Sequence, residues 1–195
     1  MHLTPRRLQF LPALGLLVVG SQAQAHTGHA TSGLAQGLVH PLSGLDHLLA
    51  MVAVGLWAYQ MRDKLSWWVF PFGFVSSMIL GASFGMLGLQ MPWVEGTILA
   101  SVLLLGISLL WGRVPVALSL PMIGLFGLAH GFAHGAEAPV TSSGVAYAFG
   151  FFLATASLHA LGIFLGFGLV KRVPAGLHYA GALLVCSGAA LAWVG

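Results

Sequence analysis

The chain has 195 residues, of which 58% are hydrophobic and only 6% charged, with a mean hydropathy of +0.94. Soluble domains carry roughly 25% charged residues, so these values exclude a soluble globular protein and indicate an integral membrane protein with no residues to spare for a separate soluble domain. Seven Lys and Arg against four Asp and Glu give a net charge of +3, but the bases lie scattered at segment ends, so the expected environment is a lipid bilayer and nucleic acid is not an expected partner.

In chain order, residues 1–25 carry Arg6 and Arg7, an apolar run from about Leu8 to Gly20, and then Ala23-Gln24-Ala25. A basic start, a short apolar stretch and a small-x-small ending predict a cleaved secretory signal peptide, because the run is short for a membrane span. Residues 26–195 then form a single transmembrane domain. It opens with His26-Thr27-Gly28-His29, where two imidazoles and a freed α-amino group make a nitrogen-rich end suited to collecting metal. A single cysteine, Cys186, excludes an internal disulfide and a thiolate-rich site.

Six apolar segments follow: about Leu34 to Tyr59, Trp67 to Leu87, Trp93 to Trp111, a fourth from Pro115 that ends by Pro139, Ser143 to Val170, and Leu177 to Trp193. Each is long enough to cross a hydrocarbon core about 30 Å thick, so the predicted fold is all-α, a polytopic bundle of six transmembrane helices. Arg62, Lys64, Arg113, Lys171 and Arg172 all fall in alternate loops. The positive-inside rule places those loops in the cytoplasm and both mature termini outside. Three spans followed by three give halves of opposite orientation. Phe72-Gly73-Phe74 and Phe149-Gly150-Phe151 recur in corresponding segments, and Trp111 and Trp193 close the third segment of each half. These likenesses make the halves candidates for a 3+3 inverted repeat, an arrangement common among transporters with a midplane site.

Ionisable residues inside apolar spans are costly and mark the paths of substrates or ions. His130, His134 and Glu137 stand at i, i+4 and i+7 of the fourth segment and share one helical face. In the first segment His40 and His47, seven apart, share a face of a continuous helix, with Asp46 beside them. Pro41 suits a first helical position, which would make His40 a cap and break the outer part of this span. Four imidazoles and two carboxylates form a donor set for nickel, cobalt, zinc or cupric copper rather than for thiophilic ions. The two carboxylates balance a divalent charge in a medium where net charge is expensive. Glu95 lies near the start of the third span, on the same outer side as His40, His134 and Glu137, and His159 lies in the inner half of the fifth. His159 is a candidate exit-side ligand or an interhelical hydrogen-bonding group.

His40-Pro41-Leu42-Ser43-Gly44-Leu45-Asp46-His47 and His130-Gly131-Phe132-Ala133-His134-Gly135-Ala136-Glu137 resemble the two signature motifs of the HupE/UreJ proteins, hydrogenase and urease accessory proteins regarded as nickel or cobalt permeases. The resemblance covers nearly the whole mature chain. It implies that His40, Asp46, His47, His134 and Glu137 carry metal binding and translocation, with His130 in the same motif and Glu95 assisting. The expected activity is therefore transport rather than catalysis: uptake of Ni2+ or Co2+, with Zn2+ also chemically acceptable, and no prosthetic group. No Gly-x-x-x-x-Gly-Lys loop occurs, so this chain does not itself spend ATP. Two rivals use the same residues. One is an intramembrane hydrolase with three histidines on zinc and a carboxylate as general base. The other is a haem-binding electron carrier with paired axial histidines, which carboxylates beside both histidine groups disfavour.

Overall fold

A computed structural model describes residues 33–138 and 144–194. The predicted signal peptide and its cleavage point, together with His26 and His29, lie outside the described residues. The described residues form helices α1 (Gly33–Ser43), α2 (Leu45–Gln60), α3 (Val69–Met86), α4 (Val94–Trp111), α5 (Val116–Ala136), α6 (Gly144–Arg172) and α7 (Gly176–Val194), with no strand among them. Helices α3 to α7 are each long and apolar enough to cross a membrane, and α1 with α2 make a sixth candidate span if the bent pair is counted as one.

The first apolar segment is thus not one straight helix. It bends by 85° between α1 and α2. The break falls at Gly44, not at Pro41, and Pro41 with His40 lies inside α1, so His40 is no cap and does not share a helical face with His47. Local chemistry accounts for the position. Gly44 is a poor helix former and takes an extended conformation, φ −99° and ψ 120°. Its flanks satisfy the backbone groups that a break exposes. On the α1 side the Ser43 hydroxyl donates to the His40 carbonyl at 2.6 Å. On the α2 side the Asp46 carboxylate accepts the His47 N–H at 2.8 Å, which also places an acid at the positive end of the helix dipole.

Helix α2 is the centre of the bundle. It touches α1, α3, α4, α6 and α7, and an unbroken run from Ala53 to Tyr59 is buried on every face. A helix apolar all round belongs inside other protein, whereas the outer helices keep large apolar side chains such as Phe72, Phe164 and Leu183 exposed, as lipid contact requires. The closest partnership is α3 with α5, and glycine makes it. Gly127, Gly131 and Gly135, one per turn of α5, rest on the backbone of Phe74, Met78 and Ala82, and Gly81 and Gly85 of α3 return the contact to Leu128 and Phe132. Where the hydrophobic effect no longer drives association, small residues at four-residue spacing let backbones touch and dispersion contacts accumulate. This packing turns the histidine face of α5 toward α2.

Candidate metal centre

The site is built where the α1–α2 bend meets the end of α5. His40, on α1, brings Nε2 to 3.3 Å from Glu137 Oε2, and His134 Nδ1 lies 3.8 Å from the same oxygen. One donor atom from each of His40, His134 and Glu137 fits within 4.8 Å of the others, close enough to share one ion. The His134 ring then lies 4.7 Å from that of His40 and 4.5 Å from that of His47, and His47 lies 5.0 Å from His130, centroid to centroid. Four imidazoles from three helices therefore form one continuous string.

The two ends of the string differ in exposure. The side chain of Glu137 is 62% exposed and that of His40 33%, and both open onto a cleft that Gln36, Val39, Ser43 and Tyr147 complete. His134 is 7% exposed, and His130 is buried completely. Between these ends His47 is 13% exposed at its side chain, so the string runs from an open end at Glu137 to its driest ring at His130.

Two of the rings are held in a stated orientation. Asp46 Oδ1 sits 2.9 Å from His47 Nδ1, so Nδ1–H donates to the carboxylate and Nε2 is left with its lone pair. His130 Nδ1–H donates to the Phe126 carbonyl at 2.8 Å, one turn earlier on α5, and again leaves Nε2 open. This is the way metal-binding histidines are usually oriented, by a carboxylate or carbonyl behind the ring. The nitrogens left over are then the informative atoms. His47 Nε2, His130 Nε2 and both nitrogens of His134 are buried without a hydrogen-bond partner among the described residues. Buried polar atoms without partners cost roughly 1–3 kcal/mol each, and a cluster of imidazole nitrogens in that state has lone pairs available to a ligand.

Not every sequence candidate joins the string. Glu95 is exposed in the first turn of α4 and is no part of the His40, His134 and Glu137 group. Asp46 faces His47 instead of entering that three-residue group. His159, on α6, is buried, with the ring of Phe74 against both it and His130. Tyr147 and Phe151 were not evident as site residues. Tyr147 packs 5.7 Å from His40 with its buried hydroxyl unpartnered, and Phe151 lies 4.2 Å from His134. The doubled Phe-Gly-Phe tripeptide was the signal for Phe151, since Phe74 and Phe151 are each its third residue.

The HupE / UreJ protein family model matches residues 14–191. The chain belongs to the HupE/UreJ family. It is 40% identical over 182 residues to Protein HupE of Rhizobium leguminosarum bv. viciae, covering 91% of this chain and 94% of that one. No solved structure matches it. The HupE/UreJ family is associated with hydrogenase and urease nickel or cobalt accessory function, and its members are multi-pass bacterial membrane proteins. In this HupE/UreJ chain residues 40–47 and 130–137 both contribute side chains to the string of imidazoles.

Proposed function

We propose that the protein is a permease that carries a divalent transition metal, nickel or cobalt, across the bacterial cytoplasmic membrane to supply hydrogenase or urease. The observation that supports this best is the set of partnerless imidazole nitrogens strung from a half-open cleft into a dry interior. Nitrogen and carboxylate donors favour such ions over thiophilic ones, and also accept zinc. Glu137 and His40 receive the ion at the cleft, His134 and His47 take it over, and His130 is the deepest stop of the outer chamber. Asp46 acts behind His47, fixing its tautomer and supplying negative charge to offset the cation.

Direction follows from the loops. Arg62 and Lys64 follow α2, Arg113 joins α4 to α5, and Lys171 and Arg172 end α6, so the positive-inside rule sets these ends in the cytoplasm and the cleft at Glu137 outside. Both mature termini then face the periplasm, in keeping with a cleaved signal peptide over residues 1–25 ahead of one domain from 26 to 195. Helix pairing supports a 3+3 inverted repeat. Exchanging the halves converts the α3–α5 pair into the α6–α2 pair and returns α4–α7 to itself, and all three are principal partnerships of the bundle. Movement is down the gradient or coupled to protons, which imidazoles and carboxylates must release to bind metal.

The test is nickel-63 uptake into proteoliposomes by the wild type, His47→Ala, His134→Ala and the double variant. Each single change is expected to cut initial uptake by about a hundredfold, and the double no further, because two ligands of one ion fail as a unit. Losses that multiply in the double variant would assign the two rings to separate ions. Full uptake by either single variant, with zinc retained through purification, would point instead to a hydrolase.

A further inference from the structure

Direct contact between imidazoles ends at His130, where the next ring is a benzene. Phe74 of α3 is completely buried, with its ring 5.3 Å from that of His130 and 5.1 Å from that of His159. His159 is 1% exposed, and among the described residues neither of its ring nitrogens has a hydrogen-bond partner. A histidine kept to hold helices together would spend at least one nitrogen on a neighbour; this one spends none, and a leucine would fill the same space without the desolvation cost. Two open nitrogens in a dry position are what a transient ligand needs. Thr155, one turn before His159 on α6, is likewise fully buried, and its hydroxyl has the Met78 sulfur at 3.9 Å as partner. A hydroxyl and a flexible thioether therefore sit respectively one turn from His159 on α6 and one turn from Phe74 on α3, and methionine side chains repack at low cost.

We infer that Phe74 is an internal gate, closing the outer imidazole chamber from a second metal stop at His159. The inference rests on the transport reading above. A partly dehydrated divalent ion moves by exchanging one donor for another, and a benzene ring has no lone pair to offer. An apolar constriction also keeps out the water that would otherwise carry the charge across. With Phe74 in place the ion is held on His47 and His130; when the ring turns aside, His159 supplies the next nitrogen. The sequence repeats the device. Phe151, the matching residue of the second Phe-Gly-Phe, lies against His134 and, at 6.2 Å, His40. One aromatic ring thus flanks the outer end of the string and another the inner end, each from the second span of its half.

The experiment uses full-length protein in proteoliposomes and follows nickel-63 both into empty vesicles and out of loaded ones, with nickel affinity of the detergent-purified protein measured by equilibrium dialysis. Phe74→Ala is expected to raise influx and efflux by about tenfold while nickel affinity stays within about twofold, and to admit magnesium, which the intact constriction excludes. His159→Ala is expected to lower flux by about tenfold with the outer affinity kept, because the donor beyond the gate is gone. Wild-type flux in either variant, with affinity intact, overturns the gate or the inner stop respectively. Should Phe74→Ala lose its fold, Phe74→Leu and Phe74→Trp decide: rates in the order Leu, Phe, Trp support a gate set by ring size, and rates without that order overturn it. If wild-type vesicles take up no more nickel than empty ones, the transport reading itself falls and the gate with it, a result distinct from unchanged flux in a working protein.

Discussion

Residues 40–47 and 130–137 hold nearly the same chemistry and use opposite architecture. Residues 130–137 are almost wholly helical, so His130 and His134 rise one turn apart on one face of α5 and the backbone behind them orients His130 through the Phe126 carbonyl. Residues 40–47 are broken at Gly44, and the 85° turn sends His40 toward Glu137 while His47 stays at the head of α2 with its own carboxylate behind it. A straight helix can present donors only along a line. The bend lets one short sequence reach a shared cleft from a second direction, and so closes a three-dimensional site around the line.

The straight stretch is the more easily destroyed, because α5 presents its histidines only while it lies against α3. A Cβ on Gly131 would run into the backbone carbonyl of Met78, which belongs to a helix and has nowhere to move. Gly131→Val is expected to destabilise the protein by about 3 kcal/mol or more, seen as loss of folded protein from the membrane fraction and a collapsed melting transition, with uptake lost in proportion. Normal accumulation and melting of this variant would mean that α3 and α5 do not touch backbone to backbone.

The bent stretch is tested through its acid. Asp46→Asn keeps the size of the side chain and an acceptor for the His47 N–H, but removes the charge that holds Nδ1–H and leaves Nε2 free. Carboxylates behind metal-binding histidines are worth roughly ten- to a hundredfold in affinity, so nickel binding by equilibrium dialysis is expected to weaken by that factor. The melting temperature is expected to stay close to wild type, because Asp46 is only half-buried near the helix end. Unchanged affinity would make the Asp46–His47 pair a helix-capping feature alone.

How much of this was legible in the residues depended on the kind of information each feature needs. Span number and loop positions follow from runs of apolar residues bounded by Arg62, Arg113 and Lys171, a one-dimensional property. The pairing of His130 with His134 needs only helical periodicity. The bend was half legible: Pro41 pointed to a break in this span, but its position at Gly44 depends on the Ser43 and Asp46 hydrogen bonds that satisfy the exposed backbone there. Glu95 was placed at the mouth because it shares a side with Glu137, but sharing a side of the membrane does not settle which face of α4 it occupies. Phe74 is a buried core residue whose ring lies on both His130 and His159, which depends on which glycine stripes bring α3, α5 and α6 together, and no spacing within one helix encodes that.

The smallest change probes the hinge itself. Gly44 has φ −99°, which any residue adopts, so alanine there meets no backbone strain. What it meets is the pair it precedes: a Cβ on Gly44 would stand 2.9 Å from Asp46 Oδ1 and 3.0 Å from His47 Nδ1, and both atoms belong to side chains that must give by a few tenths of an ångström. Gly44→Ala should therefore leave melting unchanged and tilt the His47 ring off its position, lowering nickel affinity and uptake by about threefold, since small displacements of a positioned donor are felt at the ligand before they are felt in the fold. Gly44→Ala with lowered melting and full affinity would reverse the assignment, making Gly44 a requirement of the bend and not of the site. If instead both stay at wild-type values, the Asp46–His47 pair is loose enough to absorb a methyl group, and the orientation of His47 must come from its contacts with His130 and His134.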